Sequence, residues 1–343
     1  MDLSITDDDE EVIVVDHSYR DRDILRVVVT EGSSEIALAL MYRILCYKVF
    51  GDDQLIYLII YEAPEKALFL ESIAIELTEF ASDLLAGVLY THELSTAFKN
   101  ADVVFCIGLA RGYEFPKDEY EDSFFEEHIL VSKFHGEMIE KYAKRDVKII
   151  VLGNTSANVI SHYAKSVPRK NFTSLSKFNI NMCAAHIAAR TGCRADQIKN
   201  IIIWGNNTKH TFPDCRYISF DKDMFLCDSL QVWLRVDLPQ ILQGMSSRCW
   251  YSRSLAYALA DHCKVLWNGT PQDEWTCMGV YSDDSYGVQE GIFFSYPVYC
   301  KNREYEIVQG LLDDNSYVQR QINKLSEFLM FQTRTAFKIC NSK

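Results

Sequence analysis

Residues able to do chemistry stand, in this sequence, at the ends of apolar runs. Ile201-Ile202-Ile203-Trp204 stops on Gly205-Asn206-Asn207, the pattern of a buried strand that ends in a turn. In an open α/β sheet the ligand crevice lies beyond the carboxyl ends of the strands, so Asn207 occupies a place where a reacting group is expected. A carboxamide neither takes nor gives a proton near neutral pH. A second such place is Glu31-Gly32-Ser33-Ser34-Glu35, between an apolar run over residues 24–30 and a helical pattern over residues 36–45. A strand, a tight turn and a helix N-terminus in that order form a phosphate-binding device, because bare backbone and the helix dipole both favour an anion. Only one glycine is present, and two carboxylates flank it. A third carboxylate, Glu62, closes the next apolar run, over residues 55–61.

The segments Lys199-Asn200-Ile201-Ile202-Ile203-Trp204-Gly205-Asn206 and Thr211-Phe212-Pro213-Asp214 resemble those of cytosolic-type NAD-dependent malate dehydrogenases, within the lactate/malate dehydrogenase family. Asn268-Gly269-Thr270-Pro271, Met278-Gly279-Val280-Tyr281-Ser282-Asp283, Ser285-Tyr286-Gly287-Val288 and Phe294-Ser295-Tyr296-Pro297-Val298 extend the likeness toward the C-terminus. The resemblance implies an α/β fold: a doubly wound Rossmann NAD-binding domain plus an α+β substrate domain. Residues 24–154 are expected to form the first and residues 155–343 the second, with 201–204 returning as the last Rossmann strand. Residues 1–23, with Asp7-Asp8-Asp9-Glu10-Glu11 at their centre, are expected to be a disordered acidic leader.

The same resemblance implies roles that this chain fills unevenly. Gly32, Ile36, Glu62, Gly108 and Asn154 match positions that contact the cofactor. Glu62 replaces an aspartate that holds ribose hydroxyls, and Gly153-Asn154 matches a Gly-Asn-Pro. The catalytic positions carry other chemistry: Asn207 replaces the histidine, Asn179 the aspartate that orients it, and Met182 an arginine that forks onto the substrate carboxylate. A second substrate arginine falls near Glu121, in a lid with Arg111 slightly off register and five carboxylates nearby. Trp250-Tyr251, with Arg253 beyond, stands where small residues line the family's substrate pocket. His186, one turn after Met182, is a candidate for a relocated base, against a plainer reading as an ordinary helix residue.

Two carboxylates facing a pyrophosphate oppose it, so the expected cofactor is NAD, weakly held or lost. Three functions stay open. One is a family member without catalysis that acts through binding, as a homodimer or a heterodimer with an active paralogue. Another is an NAD-dependent oxidoreductase with an altered 2-hydroxy acid substrate, and the last is a malate dehydrogenase. For the dimer, Ile73, Leu77 and Phe80 suggest one apolar helical face.

Composition narrows the rest. A net charge of -13 with no basic cluster opposes nucleic acid and anionic membrane as partners. The apolar runs are strand-sized, and Cys-x-x-Cys or His-Glu-x-x-His patterns are missing, so neither a membrane span nor a zinc site is expected. Eleven scattered cysteines and no recognisable signal peptide point to a reducing, cytoplasmic setting.

Overall fold

The computed structural model describes residues 24–108, 122–206, 210–220, 227–245, 251–312 and 315–342; the expected acidic leader, Asn207, Glu121, Arg111 and Trp250 lie outside them. The first part of the chain runs β1 (Leu25–Val29), α1 (Glu35–Cys46), β2 (Ile56–Tyr61), α2 (Leu70–Glu79), β3 (Leu85–Thr91), α3 (Leu94–Phe98), β4 (Val103–Cys106), α4 (Asp122–Tyr142), β5 (Lys148–Val151), α5 (Asn154–Tyr163), β6 (Phe172–Leu175) and α6 (Lys177–Thr191). The second part runs β7 (Ile198–Lys199), β8 (Ile202–Gly205), β9 (Thr211–Asp214), β10 (Ser219–Phe220), α7 (Asp228–Met245), α8 (Ser252–Asn268), β11 (Thr276–Tyr281), β12 (Phe293–Lys301), β13 (Glu304–Ile307) and α9 (Ser316–Ser342).

The strands β1 to β6 are parallel, in the order β3-β2-β1-β4-β5-β6. Alternation of side chains explains how this half is filled: Val27 and Val29 enter one apolar cluster with Ile36, Leu40 and Ile44 of α1, whereas Val28 enters another with Ile59, Val104 and Ile149. Both faces are therefore covered, as a parallel sheet requires. Leu255 and Leu259 of α8 belong to the same cluster as α1, which ties the second lobe to the first.

One strand is not where the sequence places it. The sixth parallel strand is β6, paired to β5, whereas β8 is antiparallel to β12 and β9. The expectation that residues 201–204 close the parallel sheet is thus corrected. The apolar run has a different burial: it sits in the second core, where Trp204, Phe294 and Tyr296 pack with Ile322 and Leu329 of α9. Beyond β6 the sheet continues antiparallel through β11, β12, β8 and β9, with β13 on β12.

The face suggested for dimer contact is also corrected in part. Ile73 and Leu77 are buried with Leu70 and Ala74 in the core beneath α2, and Phe80 stands edge-on to Tyr42 at 5.2 Å. The apolar residues exposed here are Leu68 (90%) and Phe69 (64%), in the turn before α2, Ile75, and Phe80 (44%), which alone of the three suggested residues keeps much of its ring in solvent.

Candidate functional site

Strand order reverses between β1 and β4, because β1 leads outward to β2 and β4 leads outward to β5. That reversal opens the crevice where such sheets take ligands. The turn leaving β1 forms its wall. Ser34 caps α1 by accepting a hydrogen bond from the Ala37 amide at 3.1 Å, and Glu35 begins the first turn. Gly32 donates its N–H to the Tyr61 carbonyl at 2.8 Å; a Cβ there would lie 2.2 Å from Ile60 Cγ2, so only glycine lets the turn lie against the end of β2. Ile36 buries its side chain in the core beneath α1.

Glu31 has a left-handed backbone, φ 52°, and only 6% of its surface is exposed. Its carboxylate accepts a hydrogen bond from the Gly108 amide at 2.9 Å and another from the Thr30 hydroxyl, so it bridges the ends of β1 and β4. Burial pushes this carboxyl up to about 7, opposed by the Thr30 bond and reinforced by the charge of Glu62. Its second oxygen lies 3.7 Å from Nε2 of His135, whose burial, aided by His128, pushes it down to about 3. The imidazole facing Glu31 is therefore neutral near pH 7. His128 is pushed down to about 4 by burial, lies 2.7 Å from the Ser156 hydroxyl, and packs against Gly108.

Glu62, 2% exposed, turns back onto the same turn and accepts from the Ser33 amide at 3.1 Å, the Ser33 hydroxyl and the Ala63 amide at 3.0 Å. Glu35, by contrast, is exposed and accepts from the Ser252 hydroxyl at 2.7 Å. The sequence reading treats Glu31 and Glu35 alike; the structure separates them, one inward and one outward. Gly32, Glu62 and Gly108 are thus brought together, with Glu31 and Ser33 between them.

Asn154 lies apart from this turn, at the start of α5. It donates to the carbonyls of Gly205 at 3.0 Å and Phe293 at 3.2 Å, and accepts from the Ser174 hydroxyl at 2.8 Å. Asn179 is buried in the first turn of α6, and its Oδ1 has no hydrogen-bond partner among the described residues. Met182, one turn further, is half-buried against both large cores and lines a groove of about 900 Å³ with Phe178, Asn181, Tyr251 and Arg253. Tyr251 stands edge-on to Phe178 at 5.1 Å, and Arg253 is exposed. His186 is half-buried on the same helix and does not line that groove.

Sequence reasoning passed over His128 and His135. Their separation of seven residues, two turns on one face of a helix, is the signal that could have found them. Among the described residues no group of three or more His, Cys, Asp or Glu is placed to hold a metal, and no helix is long and apolar enough to cross a membrane.

A parallel sheet reversing at β1 and β4, a glycine turn into a helix N-terminus, and an antiparallel second lobe define an α/β protein of the Rossmann class with an added C-terminal domain. Residues 251–338 match the model of the lactate/malate dehydrogenase alpha/beta C-terminal domain. The chain is 32% identical over 335 residues to cytoplasmic malate dehydrogenase of Rattus norvegicus, covering 93% of this chain and 98% of that one. The Homo sapiens counterpart is 31% identical with the same coverage. Among solved structures, malate dehydrogenase from Naegleria fowleri superposes with a TM-score of 0.84 at 25% identity, covering 93% of this chain and 99% of the other. Lactate dehydrogenase from Trichomonas vaginalis, in complex with NADH and oxamate, has the same TM-score at 23% identity, with coverage of 93% and 100%. The chain belongs to the lactate/malate dehydrogenase family.

Proposed function

We propose that this family member has given up 2-hydroxy acid oxidoreduction and acts through binding, in the cytoplasm, as a dimer with itself or with a catalytically intact relative. The pair Asn179 and Met182 carries the reading. Hydride transfer to a keto acid needs a proton donor held in register and a cation on the substrate carboxylate. The first turns of α6 offer an amide and a thioether instead, and neither can do either task.

The cofactor turn supports the same reading. Thr30, Gly108, Ser33 and Ala63 spend donors on Glu31 and Glu62, so the anion of a pyrophosphate and the diol of a ribose meet groups already bonded within the chain. Residues 31 and 62 do not fit NAD as they stand. The cytoplasmic setting follows the names of the relatives. Leu68, Phe69 and Ile75, exposed and apolar, are the surface best suited to a partner.

One observation favours an oxidoreductase with a different substrate: Arg253 shares the groove with Met182 and supplies a cation there. A single assay separates the readings. Purified protein is expected not to oxidise NADH with oxaloacetate or other 2-keto acids; turnover above roughly one per second, an ordinary enzyme rate, overturns the binding reading.

A further inference from the structure

We propose that Glu31 decides what the crevice accepts: its carboxyl stands, as part of the chain, where a dinucleotide would bring its pyrophosphate, and so excludes that ligand class. The inference rests on the reading that the cofactor turn no longer serves NAD, and it assigns the exclusion to one residue.

Three observations converge on it. Glu31 keeps φ 52°, a backbone conformation that side chains with a Cβ disfavour and that glycine adopts freely. It keeps that conformation with its side chain drawn inward, 6% exposed, spanning from the end of β1 to the Gly108 amide just past β4 at 2.9 Å. An ordinary surface glutamate would point into water. The span lies across the reversal of strand order, where an open α/β sheet takes its ligand.

The surroundings close the same place from other sides. Glu62 holds Ser33 by its amide and hydroxyl, fixing the turn without a ligand. The groups facing Glu31 are His135 of α4, Tyr61 and Glu62 at the end of β2, Lys66 in the following turn, and Cys106 of β4. Tyr61 is pushed up to about 12 by burial and then by the charges of Glu31, Glu62, Glu65 and Glu93, which gather around this end of β2. A pyrophosphate entering here meets both an obstructing side chain and opposing charge.

The test compares wild type with Glu31→Gly, Glu31→Asn and Glu35→Gln by NADH fluorescence titration, with circular dichroism melting to establish folding. Glycine and asparagine both suit the left-handed backbone, so one of them is available if the other folds poorly. Wild type and Glu35→Gln are expected to bind weakly and alike. Glu31→Gly or Glu31→Asn is expected to bind roughly tenfold or more tightly, with an NADH-dependent rise in melting temperature that wild type lacks. Low-micromolar binding by wild type, no gain in either folded Glu31 variant, or an equal gain from Glu35→Gln overturns the proposal. Oxaloacetate turnover, measured in parallel, bears on the loss of catalysis alone: a Glu31→Gly protein that binds NADH and remains inactive supports both readings.

Discussion

The resemblance would set Asn154 at a cofactor contact, yet both hydrogens and the oxygen of its amide are engaged by protein. The predicted consequence is that Asn154→Ala damages the fold rather than ligand binding. The side chain is 1% exposed and makes three hydrogen bonds, to Gly205, Phe293 and Ser174, which belong to β8, β12 and β6. Each is worth about 1 kcal/mol net, and a buried carbonyl left unsatisfied adds about 1–3 kcal/mol, so truncation is expected to cost about 4–6 kcal/mol. Asn154→Asp should cost at least as much, because it removes both donors and sets a carboxylate against two carbonyls. Urea unfolding followed by tryptophan fluorescence measures this: the midpoint should fall while the slope stays constant. An unfolding free energy within about 0.5 kcal/mol of wild type refutes the structural role. A change in NADH affinity without a change in midpoint would return Asn154 to the cofactor.

Acid should loosen the protein before it reaches the carboxylate range. His128, His135 and His262 are pushed down by burial to about 4, 3 and 3, so the stability each gives is present above the unfolded value near 6.5 and is lost as pH falls toward the folded one. Glu31, pushed up to about 7, has the opposite sign: its contribution is full below about 4.5 and is lost as pH rises through 7. Melting temperature is therefore expected to peak near pH 6–7 and fall steeply by pH 5, whereas a flat profile between pH 4.5 and 6.5 refutes these burial assignments. For assembly, light scattering is expected to show a dimer, alone or with a catalytically intact relative, and Leu68→Glu with Phe69→Glu should dissociate it. A wild-type monomer in both mixtures, or a dimer indifferent to the double change, removes that surface from the account.

The parallel half was legible because its strands are apolar enough to be buried on both faces, as Val27, Val28 and Val29 are. The strand β6 was hidden for a physical reason. Its Thr173 and Ser174 look like loop residues, but one meets His262 at 2.9 Å and the other Asn154 at 2.8 Å, so their polarity is satisfied inside the core. The more conspicuous run, Ile201 to Trp204, was assigned to the wrong sheet position because periodicity reports burial and not pairing partner. At the site, residue types told what is absent at Asn179 and Met182. They could not tell that Glu31 turns inward and Glu35 outward, since that follows from backbone handedness. The helix α2 misled in a similar way: Ile73 and Leu77 of its apolar stripe serve its own sheet, whereas Phe80 at its end stays exposed beside Leu68, Phe69 and Ile75.

The placement of β8 has a consequence during synthesis. Four of the five parallel pairings among β1 to β6 join consecutive strands and can form as the ribosome delivers them, although β1 also waits for β4, Val27 meeting Val103. The strand β8 can close a hairpin with β9 at once, but its other edge pairs only with β12, through Gly205 and Ser295, about ninety residues later. At roughly 5–20 residues per second that is about 5–20 s. Throughout that interval the Ile202-Ile203-Trp204 edge is apolar and half-paired, the kind of strand that seeks a partner on another nascent chain. Yield in a cell should thus depend on chaperone supply more than the finished protein's stability would suggest.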